Sequence, residues 1–421
     1  ERGSKAKRMS DDKDQLLING ETVEEAKLRE AKEKAEAKKG APKPKSEDLA
    51  KTKRTPVGTG ARSGIGQPLL FTGEEPVELV TLADGSVRVV TGFTGMGTYE
   101  LATPGLFSIV RSIEFDETVV ALNNAVHGNN ITTQNILDVD PADIAAEKPD
   151  VLHVSPVCKN YSQAGSKERV PTDLDRKSAE WTVRAINEVR PPIFSLEQVA
   201  AYATDANCDM IVKALRDQGY SVRIETVNAA DWGGAANRKR MILRARRDGA
   251  YIPSFEEQFP GRKTGAADWY TTIKDLLDDA PTEDVSDFKW TGESVGPDVD
   301  RFLDDRKGVG MPLGEAKNIQ AAINAGEIPS GKPIIGMGGN ASMWIRGQVD
   351  ADSAMGTMTT GSLVRIYMPD GRVIRATPRM LFRLQGIPDT VSIPTTLPDG
   401  KPLTTARMQF GLGNGMHGNT T

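Results

Sequence analysis

From Val87 to Arg246 the chain alternates short apolar runs with stretches of helical pattern. The runs read VRVVTGF, SIVRSIEF, VLHVSP, IFSLEQV, SVRIETVNA and RMILRA. Such alternation predicts an α/β fold, a sheet with helices on both faces. Just upstream, PVELVTLADGSVRVV reads as a hairpin with Asp84-Gly85 at its turn. After about Arg247 the alternation fades into a stretch of mixed polarity and then the Gly-rich GKPIIGMGGNASMWIRG; regular character returns near Val364. The pattern therefore divides the chain into a charged tail or linker at 1–68, a larger α/β domain at 69–260, a smaller irregular domain at 261–361 and a return to the larger domain at 362–421.

Composition changes this picture in three places. The 421 residues exceed one average domain, in keeping with two folded parts and a tail. With 38% hydrophobic and 26% charged residues, no run of about 18 apolar positions and no apolar leader core, a membrane role is not expected. The chain begins with Glu1 and not methionine, which suggests processing or a partial sequence. Its net charge of -5 is uneven: residues 1–62 hold 17 Lys+Arg against 12 Asp+Glu, leaving the remainder at 36 against 46. Any nucleic-acid contact must then be local, a cleft lined by basic side chains with help from the tail. Two cysteines, Cys158 and Cys208, are too few for a disulfide framework or a zinc site and imply a reducing compartment, the cytoplasm or a nucleoid.

Candidate chemistry sits at the ends of the strand-like runs. In FTGMGTYE, Gly95 and Gly97 fall where strand would turn to helix, so that a ligand can approach the backbone. Such a turn equally fits a nicotinamide cofactor. The next run ends at Glu114, followed by Phe115; an acid there suits the ribose hydroxyls of a nucleoside cofactor. Cys158 lies in a polar loop after VLHVSP, where α/β enzymes place reactive groups and where Lys159 would favour a thiolate. The alternative for a lone cysteine is packing, and Cys208, in an apparent helix, is read that way. Glu197 in SLEQV ends another strand toward the same edge, as a proton donor or as a helix cap. Arg238 and Arg240 share one side of an extended NRKR segment, suited to carbonyl oxygens or phosphates, or to a solvated edge.

Taken in order, FTGMGT, VCKNYS, EQV, ANRKR, TPRMLFRLQGIPD and GNGM resemble the motifs of the DNA cytosine-5 methyltransferase family. RLQGIPD, Arg383 to Asp389, is the most specific match, and TVNAADWGG adds to it. The intervals are 61 residues from Gly97 to Cys158, 39 on to Glu197 and 41 on to Arg238. The resemblance implies a Rossmann-like class I S-adenosylmethionine-dependent methyltransferase fold with a smaller target-recognition domain, a double-stranded DNA substrate and S-adenosyl-L-methionine as cofactor. It assigns catalysis to Cys158, Glu197, Arg238 and Arg240. Phe93, Gly95, Gly97, Thr98, Glu114, Phe115, Asn135, Pro156 and Asn414 would form the cofactor site, with the C-terminus folded back beside the first motif. No metal is implied. A cognate restriction endonuclease would be a natural companion. The target base would be flipped out of the duplex, as the general principle for base-modifying enzymes requires.

The chain departs from the family at Val157, in place of proline, at Lys159, at Gln198, in place of asparagine, at Ala235-Ala236 and at Thr98, in place of glycine. Relatives commonly continue into a helix beyond GNGMHGNTT. The retained cysteine, glutamate and arginines predict activity with altered loop behaviour. Competing readings are a transfer-RNA cytosine methyltransferase, a silent DNA- or cofactor-binding relative and, from the glycine turn alone, a nicotinamide dehydrogenase.

Overall fold

Each apolar run of the first half becomes a strand, and the polar positions between them cap the helices that follow. The computed structural model describes residues 87–101, 107–128, 130–157, 172–283, 321, 324–326, 331–336, 350–360, 364–370 and 372–418. All fall within one compact unit, Phe71–Thr421. In chain order the first part runs β1 (Val87–Gly92), α1 (Thr98–Leu101), β2 (Phe107–Ile113), α2 (Glu117–His127), α3 (Pro141–Ala146), β3 (Val151–Val154), α4 (Asp173–Val189), β4 (Ile193–Val199), α5 (Ala206–Asp217), β5 (Ser221–Asn228) and β6 (Lys239–Arg246).

Helix starts carry side-chain caps that occupy amides with no intrahelical partner. Asp116 accepts from Thr118 and Val119 N at the head of α2, Asp140 caps α3 ahead of Pro141, and Thr172 with Asp175 forms a capping box on α4.

The strands assemble in the order β2-β1-β3-β4-β6-β5. β1 pairs in parallel with β2 and β3, and β3 with β4, whereas β6 runs antiparallel to both β4 and β5. The expected hairpin is not what β1 forms: between Val89 and Gly92 both its edges are taken by parallel neighbours. Asp84-Gly85 lie outside the described residues. Alternate strand positions, among them Leu152, Val154, Phe194, Leu196, Met241 and Leu243, enter a core closed by Ile144, Trp181, Ile186, Ile211 and Leu215 of α3, α4 and α5. This is the period-two burial expected of a sheet face. Cys208 belongs to that core, and burial pushes its thiol up to about 12. It is the packing cysteine the pattern predicted.

A second, antiparallel sheet has the order β7-β10-β9-β8 among the described residues. Its strands are β7 (Thr282–Glu283), β8 (Ile334–Gly336), β9 (Arg365–Tyr367) and β10 (Val373–Arg375). It takes strands from both sides of residue 361. After β6 come the short helices α6 (Phe255–Gln258) and α7 (Trp269–Ile273). The core of the second sheet is continuous with Trp269 and Ile273 of α7, with Met380, Leu381, Phe382 and Leu384 of α8 (Pro378–Leu384), with Met408 and Leu412 of α9 (Thr405–Asn414), and with Met96 and Leu122. The C-terminal helices thus reach back to the turn after β1.

Candidate active site

The turn after β1 is built from three left-handed residues, Phe93, Gly95 and Gly97, at φ 56°, 60° and 74°. Gly97 cannot be replaced without displacement, because a Cβ there would stand 2.2 Å from His127 Nε2. At Gly95 the same position is open, with no atom within 4 Å. Asn123 Nδ2 donates to the Gly95 carbonyl at 3.2 Å and His127 Nε2 meets the Met96 carbonyl at 3.2 Å, so α2 holds the turn from below. Glu100 packs under it against the Thr91 and Thr94 hydroxyls, and burial raises its carboxyl above the ordinary range, with His127 opposing.

Glu114 stands beside this turn, at the end of β2. Its Oε2 accepts from Gly95 N at 2.9 Å, and its Oε1 accepts from Phe115 N at 2.8 Å and Asp116 N at 3.0 Å. Phe115 is 64% exposed, unusual for a large apolar residue. Gln134 N donates to the Glu114 carbonyl at 2.8 Å, which brings the next residue, Asn135, alongside; its side chain caps a short 3-10 turn through Leu137 N. An open glycine turn, a carboxylate and an exposed aromatic face thus stand together, and this set fits a nucleoside with ribose hydroxyls.

One strand further along, the chain leaving β3 crosses the end of β4. Ser155 N donates to the Gly92 carbonyl at 3.2 Å. The Ser155 hydroxyl donates to Glu197 Oε2 at 2.9 Å and lies 3.2 Å from the Glu197 carbonyl. The other carboxylate oxygen, Oε1, takes the Arg240 Nε at 2.7 Å. The Glu197 residue is 5% exposed, so the ion pair is nearly dry. This geometry follows from sheet register: Val199 of β4 lies opposite Arg240 of β6. Gln198, buried, donates its amide to the Pro156 carbonyl and accepts from Val199 N at 2.7 Å. A glutamine where the resemblance has asparagine therefore still ties the loop before the cysteine to β4. Cys158 itself lies outside the described residues; Pro156 and Val157 deliver the chain to it.

Arg238 does not join Arg240. It is 1% exposed and turns inward, donating to the carbonyls of Met358 (3.3 Å), Gly413 (2.9 Å) and Gly415. The expectation that both arginines line one face is corrected here, because Arg238 precedes β6 while Ala235 to Asn237 pair with Met355 and direct it under the C-terminal helix. The Thr98 hydroxyl accepts from Met416 N at 2.8 Å and its side chain fills the space a Cβ on Gly415 would need, so the buried side chain holds the C-terminal segment. Gln385, from RLQGIPD, donates to the Leu412 and Met416 carbonyls at 3.2 and 2.9 Å, and His417 meets the Leu384 carbonyl at 3.1 Å. Asn414 is left exposed at the end of α9.

Sequence reasoning missed Ser155 and Gln385 as site-forming groups. The signal for Ser155 was available: a hydroxyl at the carboxyl end of a parallel strand adjacent to the one bearing Glu197. Gln385 was visible within RLQGIPD but without a partner to give it a purpose.

The fold is the Rossmann-like class I methyltransferase fold. The profile of the family described as C-5 cytosine-specific DNA methylase matches residues 87–411, and the chain belongs to that family. Among curated relatives it is 26% identical over 319 residues to the Type II methyltransferase M.NlaX of Neisseria lactamica, covering 73% of this chain and 88% of the relative. It is 25% identical over 198 residues to the Type II methyltransferase M.FnuDI of Fusobacterium nucleatum, covering 46% of this chain and only 57% of the relative. Solved structures that share the fold include two methyltransferases. The S. pombe Dnmt2 methyltransferase has TM-score 0.52 and 14% identity, covering 79% of this chain and 95% of that one. The Entamoeba histolytica methyltransferase EhMeth has TM-score 0.51 and 13% identity, covering 80% and 95%. Among the described residues no helix is long and apolar enough to cross a membrane.

Proposed function

We propose that this chain methylates carbon 5 of cytosine in double-stranded DNA, with S-adenosyl-L-methionine as donor and Cys158 as nucleophile. The observation that carries the reading is the Ser155–Glu197–Arg240 constellation at the end of β4, two strands from the glycine turn, with Ser155 three residues before Cys158 in the chain.

Glu114, Phe115 and the open Gly95 turn would hold the cofactor's ribose, adenine and amino-acid portions. When bound, S-adenosyl-L-methionine supplies an electrophilic methyl group on a sulfonium. The Cys158 thiolate adds to carbon 6, forming a C–S bond and moving the ring electrons toward carbon 5. Glu197, fixed by its two partners, is placed to hydrogen-bond the N3 edge and offset the charge developing on the ring. Arg240 keeps that carboxylate aligned and presents the rest of its guanidinium to the base. Carbon 5, now nucleophilic, would take the methyl as the S–CH3 bond of the sulfonium breaks and leaves the neutral thioether; loss of the carbon 5 proton to a base and cleavage of the C–S bond to Cys158 would then restore the aromatic ring and the thiolate. The base must be flipped out of the duplex for these contacts. Residues 261–361 would carry the target-recognition part that reads the groove, and a partnership with a restriction endonuclease would follow the Type II naming of its relatives.

The test is transfer of label from S-adenosyl-L-methionine to unmethylated duplex DNA and to transfer RNA, with wild type and Cys158→Ala. The expected result is 5-methylcytosine in DNA, abolished by the variant. Label in transfer RNA alone would replace the DNA reading, and label in neither would overturn the enzymatic one.

A further inference from the structure

Resting on that reading of Glu197, we propose that Ser155 is a positioning residue that fixes the plane of the Glu197 carboxylate for attack on the base. A glutamate's terminal torsion is broad and roughly two-fold, so one partner does not set the carboxylate plane. Arg240 Nε anchors Oε1 at 2.7 Å, and the Ser155 hydroxyl anchors Oε2 at 2.9 Å. With both oxygens held, rotation about that torsion breaks the ion pair to Arg240 or the hydrogen bond from Ser155. Ser155 is itself fixed, since its N–H donates to the Gly92 carbonyl at the start of the glycine turn.

The hydroxyl therefore links three pieces of the site: the turn after β1, the loop that leads to Cys158, and the carboxylate on β4. Gln198 makes a second tie between the same loop and the same strand, through the Pro156 carbonyl. The two ties differ in what they hold. Gln198 grips backbone, whereas the Ser155 hydroxyl reaches the carboxylate as well as the Glu197 carbonyl. Without that hydroxyl the loop stays tethered through Gln198 and the Ser155 N–H, and the carboxylate loses one of its two partners.

The experiment compares full-length wild type, Ser155→Ala, Ser155→Thr, Glu197→Gln and the Ser155→Ala/Glu197→Gln double variant. Single-turnover methylation of duplex DNA is measured alongside KM for DNA, retention of labelled S-adenosyl-L-methionine and the thermal midpoint. Ser155→Ala is expected to slow the chemical step by about tenfold to a hundredfold, the range for one hydrogen bond to a charged group. KM and cofactor retention should stay as in wild type, with Ser155→Thr restoring most of the rate. In the Glu197→Gln background, Ser155→Ala should add little, because it acts through that carboxylate. Equal rates for wild type and Ser155→Ala would overturn the proposal, as would an equal penalty in both Glu197 backgrounds. A wild type that transfers no methyl group removes the reading of the whole site, an outcome distinct from an active wild type indifferent to Ser155.

Discussion

Arg238 and Arg240 are two residues apart in NRKR, and both are largely withdrawn from solvent, yet they serve opposite ends of the protein's chemistry. Arg240 meets a carboxylate at the end of β4, a charge against a charge. Arg238 meets main-chain carbonyls, two of them on Gly413 and Gly415, the residues flanking Asn414. A guanidinium presents five donors in a rigid fork, so it can satisfy several oxygens at fixed angles where an ammonium cannot. The difference teaches that one arginine organises the reacting edge and the other locks the returning C-terminus against the glycine turn, and neither role is carried by residue type.

Variants can break this contrast. The largest expected effect is on the clasp: Arg238→Ala strands buried carbonyls and should lower stability by about 3–5 kcal/mol, seen as a shift in denaturant midpoint. Arg238→Lys should recover only part of it, because one ammonium cannot span the three carbonyls. Full recovery by lysine would show that charge alone suffices there. Next, Glu197→Gln should slow methyl transfer by about 10²–10³-fold while cofactor retention is kept, the converse of the clasp's signature. Equal loss of stability and rate in both variants would erase the distinction between the two arginines. Gln385→Ala should cost about 1–3 kcal/mol through the unpaired Leu412 and Met416 carbonyls, and it should weaken cofactor retention more than the Glu197 variant does.

The smallest effect concerns pH. Burial first, then the Arg238 charge, pulls His417 down to about 3, against an unfolded value of about 6.5. The unfolded chain therefore binds more protons in that window, and the neutral-histidine stability is complete above about pH 6.5 and declines as pH falls toward 3. His153, held near 4 by burial, acts in the same sense. Thermal midpoints should fall modestly from pH 7.5 to 6, and the slope should lessen in His417→Asn. An unchanged slope would place the dependence elsewhere.

The strands were legible because each is a short apolar run between turn-forming residues, and period-two burial is local information. The expected hairpin turns at Asp84-Gly85, outside the described residues, and β1 itself pairs with partners more than fifty residues away in β3. The glycine turn and Glu114 were legible because their positions at strand ends follow from the alternation itself. Glu197 was located by the same rule, but its partners were not. Cys158 was singled out by its loop, and it falls outside the described residues. Thr98 was read as a cofactor contact from its place in the motif, whereas its hydroxyl is committed to Met416, 318 residues on.

What the sequence determined by itself was the set of reactive groups, their order and the α/β frame that carries them, since side-chain chemistry and hydrophobic period are written residue by residue. Which groups meet was decided only by the tertiary structure. The antiparallel register of β4 and β6 sets Arg240 against Glu197, the chain leaving β3 brings Ser155 across to the same carboxylate, and the return of α9 claims Arg238 and Thr98 for the C-terminus. Those pairings join residues tens to hundreds of positions apart. Their partners are fixed by packing and strand register, which no local pattern encodes.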